Sequence, residues 1–185
     1  HQQHPTPLFM DHIIIKNYAS PCGELLLGSL GSKLCMCDWT AGGRADATAE
    51  RLGRLLDASV IEGTSAVIEH AADGLDEYFQ GLRREFPLDI LAAGTPFRKA
   101  VWQSIMSVPY GRCISYSQLA ESIGRPSAVR AVAAAAGANA LSVVIPCHRI
   151  IGASGELTGY AGGLDAKRFL LLLEREAMEK GGRHA

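Results

Sequence analysis

The stretch TPFRKAVWQSIMSVPYGRCISYSQLAESIGRPSAVRAVAAAAGAN, residues 95–139, marks its own helix boundaries. Thr95 can cap and Pro96 can occupy a first helical position. Phe97, Val101, Ile105 and Val108 then recur at helical spacing, and "PYG" ends the run. Ser115 and Gln118 match a capping box, with Tyr116, Leu119, Ala120 and Ile123 as the inward face. Gly124 stops that helix and Pro126 precedes another. Two helices joined by a short glycine-containing turn predict a helix-turn-helix. Such hairpins also serve as plain scaffolding.

The second helix of the pair is unusual. Val129, Val132, Ala133 and Ala136 can face inward, leaving Ser127, Arg130, Ala131, Ala134 and Ala138 outside. A solvated helix face normally carries several charges. Here Arg130 is the one long side chain on a face of small residues. That pattern suits close approach of the helix to a partner, with the guanidinium wedging into a groove or binding phosphate. An alanine-rich helix chosen for propensity, with Arg130 paired locally, explains the same pattern.

The first half reads differently. Residues 12–16 and 24–38 are apolar runs broken by "SPCG" and "LGSK", which predicts strands joined by tight turns. Residues 46–58 and 65–80 carry helical periodicity, with Gly74 interrupting the second. The fold class is therefore α/β (α+β). A small N-terminal α/β domain, residues 1–92, holds a short sheet plus helices. A mostly helical domain, 93–185, holds the helix-turn-helix and a cysteine-bearing strand. The boundary falls near Ala92–Thr95.

Charge separates the halves as well. Before Thr95 there are 7 Lys and Arg against 13 Asp and Glu; from Thr95 onward there are 11 against 6. A basic half on a chain of net charge −1 points to a polyanionic partner for that half alone, or to chance segregation of solvated charges. No apolar run approaches the ~20 residues that span a bilayer. The opening HQQHPTPLFM lacks the layout of a secretory signal and reads as a loose terminus. Five cysteines, Cys22, Cys35, Cys37, Cys113 and Cys147, fit a reduced cytosolic protein better than a disulfide scaffold. "CMC" at 35–37 puts two thiols on one face of a strand. Without further ligands at suitable spacing these are buried free thiols, and no metal site is predicted.

"VVIPCHRII", residues 143–151, ends an apolar run on Cys147, His148 and Arg149. The thiolate is the reactive form of cysteine and needs help at neutral pH. Neighbours on an extended strand face opposite ways, so a direct Cys147–His148 pair does not follow from adjacency, and a bridging water is an alternative route. For a bare Cys–His pair, a structural thiol beside a core histidine is the commoner explanation. Three further features bear on it. Asn139 stands where helix gives way to strand and can hold the turn that presents Cys147. "SGELTGYAGGL", residues 154–164, can form a pocket wall around Tyr160. In "LDAKRFLLLLERE" the core positions are Phe169, Leu170, Leu173 and Ala177. Glu174, at the edge of that stripe, can orient an imidazole.

Together "PCHR", "SYSQLA", "GRPSAVRAV", "GYAGGL" and "KRFLLLLE" closely resemble the O6-alkylguanine-DNA alkyltransferases, continuously from about Gly94 to Glu176. "SPCGELLLGSL" and "LDEYFQG" are loosely similar to that family's N-terminal domain. The resemblance implies a monomeric cytoplasmic repair protein that acts once on double-stranded DNA containing alkylated guanine. It flips the base out through the minor groove and moves the alkyl group to Cys147. His148 would deprotonate Cys147 through water, Glu174 would orient His148, and Asn139 would brace the turn. Tyr116 would protonate or hydrogen-bond the departing guanine, opposite the attack. Arg130 would fill the emptied stack, with Ser127, Ala131 and Ala134 forming the thin face against DNA. Tyr160, Ala161 and Gly162 would line the base pocket, and Arg149 is assigned to it too. The same chemistry could extend to O4-alkylthymine, a question the resemblance leaves open. Displacement at a saturated carbon by a soft nucleophile requires neither metal nor organic cofactor.

The chain departs from the family pattern at two places. Ala140 stands where many members have proline, and Ala161 replaces a serine found in some, removing a hydrogen-bonding group. The zinc ligands of vertebrate members are not matched. Two rival readings are a cysteine-dependent hydrolase or acyltransferase, and a helix-turn-helix regulator without alkyl transfer.

Overall fold

The computed structural model describes residues 11–182. Residues 1–10, read above as a loose terminus, lie outside them. Four strands make one sheet: β1 His12–Ser20, β2 Gly23–Leu30, β3 Lys33–Trp39 and β4 Ser59–Glu62, in the order β3-β2-β1-β4. Only β4 runs parallel to its neighbour, β1. Helix α1, Arg44–Leu55, covers one face and α2, Ala66–Phe79, the other. Helix α1 ends before Ala58, three residues earlier than its periodicity predicts. Asp57 adopts a left-handed φ of 50°, a conformation that Asp tolerates better than most residues. Strand β4 has no alternation to betray it, because Val60, Ile61 and Glu62 are all exposed at the sheet edge.

The second half contains α3 Pro96–Met106, α4 Tyr116–Ser122, α5 Val129–Gly137 and α6 Leu164–Gly182. Two short strands, β5 Ile114–Ser115 and β6 Ile150–Ile151, pair in parallel. The predicted caps form. Thr95 accepts from the Arg98 N–H, and Ser115 and Gln118 make the reciprocal capping box.

The strand spacing of "CMC" does not survive. The register between β2 and β3 shifts so that Gly28 faces Met36 and Ser29 faces Leu34, leaving Cys35 as the extra residue of a bulge. A bulge breaks strict alternation. Cys35 therefore packs with Ile13 and Leu52 on the α1 side, and Cys37 with Leu25 and Ile68 on the α2 side. Phe169, predicted in the core, is 38% exposed, and α6 turns Ala166 and Leu170 inward instead.

The two halves share one core. Leu27, Trp39, Ile68, Leu75 and Tyr78 from the first pack in the same cluster as Val101, Trp102, Ile105, Val132 and Leu170 from the second. The backbone is stitched across as well. Cys37 donates its N–H to Ala140 O (2.8 Å) and accepts from the Ser142 N–H (2.8 Å), so residues 140–142 extend the sheet beyond β3. That seam holds the segment leading to Cys147.

Candidate active site

Residues 141–151 are not the continuous strand their apolar run predicts. The chain turns at Val143 and Val144, and Cys147–Arg149 form a turn of 3-10 helix. Val143 carries a φ of 71°, an outlier for a β-branched residue that costs about 1–3 kcal/mol and persists only where surroundings enforce it. Asn139 does the enforcing. Its Oδ1 accepts from the Leu141 N–H at 2.9 Å, and its Nδ2 donates to Ile145 O at 3.0 Å. The side chain replaces the hydrogen bonds that a strand partner would supply. Nδ2 also lies 3.3 Å from Cys147 Sγ.

Cys147 opens on a cavity of about 520 Å³, lined by Arg44, Tyr116, Val129, Arg130, Ala133, Ala136, Gly137, Thr158, Gly159, Tyr160 and Ala161. Helix α5 supplies one wall. Ala133, expected in the core, belongs to that wall, and Ala135 is the buried residue, its carbonyl accepting from Trp102 Nε1 at 2.8 Å. Ser127, Arg130, Ala131 and Ala134 are exposed on the outer face. The buried Tyr160 hydroxyl has no partner among the described residues.

Behind the turn the chemistry is ionic. His148 is fully buried, and its Nε2 lies 2.6 Å from Glu174 Oε2. Nε2 therefore carries the hydrogen facing the carboxylate, and Nδ1, which has no partner among the described residues, is left as the basic nitrogen. Arg149 clamps Glu174 with Nε at 2.8 Å and Nη2 at 3.1 Å, and holds Val108 O through Nη1 at 2.9 Å. Gly111 N–H and Tyr78 OH complete the shell at 3.1 and 2.5 Å.

These contacts set the proton affinities. Burial pushes the Glu174 carboxyl up, but the hydrogen bond from His148 and the hydrogen bonds and charge of Arg149 outweigh it and hold the group well below the ordinary carboxylate range. Burial lowers His148 against the pull of Glu174, keeping the imidazole neutral. Burial raises the Cys147 thiol, opposed by the Asn139 hydrogen bond and the charges of Lys167 and Arg44.

Two residues assigned to the pocket from sequence do not line it. Arg149 points to Glu174 behind the turn. Gly162 sits where a Cβ would come within 2.5 Å of the Trp39 ring, so it lets the loop close onto the first half. Four contributors escaped the sequence reading. Arg44 pairs with buried Asp38 at 2.8 Å and donates to Gly137 O and Asn139 O across the two halves. Lys167 is wholly buried, its ammonium donating to Ile150 O at 2.6 Å and Thr158 O at 3.0 Å, which ties the Tyr160 loop to β6. Trp39 meets Tyr160 edge-on at 5.9 Å. Tyr78 reaches Glu174 from α2. None carries a local signal, although "LDEYFQG" contains Tyr78 and "KRFLLLLE" contains Lys167. Among the described residues, no group of three or more His, Cys, Asp or Glu could hold a metal ion, and no helix is long and apolar enough to cross a membrane.

The fold and the placed thiol define a class: proteins that present a buried cysteine at a cavity beside a helix-turn-helix. The comparisons narrow it. Residues 13–91 match "6-O-methylguanine DNA methyltransferase, ribonuclease-like domain" and residues 96–176 match the DNA binding domain of the same family. The chain belongs to the O6-methylguanine DNA methyltransferase family. It is 40% identical over 158 residues to the methylated-DNA–protein-cysteine methyltransferase of Mycobacterium leprae, covering 84% of this chain and 88% of that protein. The protein of that description from Mycolicibacterium paratuberculosis is 50% identical over 105 residues, 57% of this chain. That alignment spans 64% of the relative's length. The crystal structure of Mycobacterium tuberculosis OGT in complex with DNA superposes with a TM-score of 0.76 at 36% identity, covering 90% of this chain and 94% of that one.

Proposed function

We propose that this protein repairs O6-alkylguanine in duplex DNA by one irreversible transfer of the alkyl group to Cys147 Sγ. The observation that carries the reading is the cavity. It brings a buried thiol, Tyr116, Tyr160 and the helix that bears Arg130 to one space. Arg130, exposed at its edge on a face otherwise of small residues, enters the minor groove and fills the place of the extruded base. Extrusion costs a few kcal/mol, and the inserted guanidinium offsets part of it.

Within the cavity, Sγ attacks the alkyl carbon as the C–O6 bond breaks. The thiol proton passes through water to Nδ1 of His148, which Glu174 orients through Nε2. Asn139 Nδ2 stabilises the charge growing on sulfur. Tyr116 supplies a proton to the guanine as its O6 becomes negative. The products are a thioether on Cys147 and restored guanine, and water does not reverse the thioether. The acidic residues 1–92 support the reacting domain. The protein acts as a monomer in the cytoplasm, a reducing compartment that suits its free cysteines.

Incubation with duplex DNA containing O6-methylguanine, followed by intact mass and peptide mapping, tests this. The expected result is one methyl group per chain, on Cys147, and none in Cys147→Ala. Repeated turnover would support a hydrolase instead. Unmodified protein bound to the damaged duplex would support a DNA-binding regulator.

A further inference from the structure

Among the residues whose side chains surround the Glu174 carboxylate, Tyr78 alone comes from the N-terminal half. It lies on α2, is wholly buried, and donates its hydroxyl to Glu174 Oε2 at 2.5 Å. That oxygen also receives His148 Nε2 at 2.6 Å and Arg149 Nη2 at 3.1 Å, while Oε1 takes Arg149 Nε and the Gly111 N–H. Packing does not explain the hydroxyl. The ring already sits among Phe79, Phe86 and Tyr110, with centroids 5.3, 5.5 and 6.3 Å away. A phenylalanine would make those contacts equally well.

We propose that Tyr78 is a positioning residue for alkyl transfer: its phenol shares the oxygen of Glu174 that faces His148, and so limits how strongly the carboxylate holds a proton on the imidazole. Each donor to a carboxylate withdraws charge from it and weakens it as an acceptor toward the others. Without the phenol, Oε2 would attract the imidazolium more strongly, and His148 would stay protonated to higher pH. A protonated His148 has no free Nδ1 lone pair to accept the thiol proton. Thus the N-terminal half contributes a functional group as well as support.

The other groups that face this pair are known by position. Tyr110 and Cys113 approach Glu174 from the segment between α3 and α4, Arg149 and Cys147 belong to the turn itself, Lys167 acts on His148 from α6, and the Tyr160 ring meets the imidazole edge-on at 6.5 Å from the glycine-rich loop. All remain in place when Tyr78 loses only its oxygen, so a change in the titration of His148 reports the phenol.

The inference rests on the alkyl-transfer reading, and the experiment separates the two. The labelling rate of Cys147 by free O6-benzylguanine is measured across pH for wild type and Tyr78→Phe. Absence of labelling in wild type both by free O6-benzylguanine and by duplex DNA containing O6-methylguanine sinks the reading itself. With wild type labelled, the acid limb of Tyr78→Phe is expected to move to higher pH by roughly half a unit to one unit. The variant is then several-fold slower on the acid side of the limb and within twofold of wild type in alkaline solution, where His148 is neutral in both. Superimposed profiles, or a loss equal at every pH, would overturn the inference and leave Tyr78 as packing. Fluorotyrosine placed at position 78 keeps the ring and hydroxyl and makes the phenol a stronger donor. It should move the limb to lower pH, and a shift in the opposite direction would overturn the inference even where Tyr78→Phe fails to fold.

Discussion

On one side of the Cys147–Arg149 turn is a cavity walled by alanines, glycines and two tyrosines; on the other is a carboxylate that accepts five hydrogen bonds. The cavity side is left unsatisfied. Burial raises the Cys147 thiol, whose side-chain hydrogen bond comes from Asn139, and the Tyr160 hydroxyl has no partner among the described residues. The carboxylate side is saturated. Glu174 is ionised, its charge is answered by the Arg149 fork, and its hydrogen bonds come from both halves of the chain. The difference teaches where rigidity belongs in such a site. The imidazole of His148 is held in one tautomer and one orientation by its carboxylate, while the thiol of Cys147 faces open space.

The contrast can be broken most severely from behind. Glu174→Ala leaves the Arg149 guanidinium buried without its counter-charge, which costs about 3–5 kcal/mol. A large drop in melting temperature is expected, with slowed labelling of Cys147 by free O6-benzylguanine. The pH dependence has a definite sign. Because the folded-state carboxyl is held below its ordinary value, its stabilisation is complete above ~4.3 and fades as pH falls below that. The gap in melting temperature between wild type and variant should therefore narrow in acid. A constant gap across pH would argue that Glu174 acts by packing.

Asn139→Ala attacks the joint between the two sides. It strips partners from Ile145 O and Leu141 N–H and leaves the φ of Val143 unsupported. Loss of about 1–3 kcal/mol is expected in denaturant unfolding, together with slower labelling. Asn139→Asp keeps the acceptor for Leu141 but not the donor for Ile145 and Sγ. If it labels as fast as wild type, the contact to sulfur is irrelevant.

Arg130→Ala sharpens the comparison from the front with the smallest effect. It should slow repair of duplex DNA roughly tenfold, which corresponds to about 1.4 kcal/mol, and leave reaction with free O6-benzylguanine and the melting temperature unchanged. Equal losses on both substrates would remove Arg130 from the groove.

Much of the cavity side was legible from residue order. Tyr116, Arg130 and Tyr160 lie on the capped helix, the helix-turn-helix and the glycine-rich loop read from the sequence, and all three line the cavity with Cys147, although the strand expected to carry Cys147 is a turn. Ser115 and Gln118 position Tyr116 through hydrogen bonds three residues long, and such bonds are readable in a string of letters. The saturated side was half hidden. Glu174 and His148 could be paired, but Arg149 was put in the wrong place. A three-residue turn of 3-10 helix rotates successive side chains by about a third of a circle, whereas the strand expected from "VVIPCHRII" alternates them.

The amino-acid order by itself determined the caps of α3 and α4, the small-residue face of α5 and the adjacency of Cys147 and His148, because these depend on neighbours within about four positions. Only the tertiary structure decided that Tyr78 would reach a carboxylate 96 residues away, that Arg44 would brace the end of α5, and that Val143 would be held at positive φ. Those contacts exist because two halves bury one core and share one sheet edge, and no local period encodes which side chains meet across such a seam.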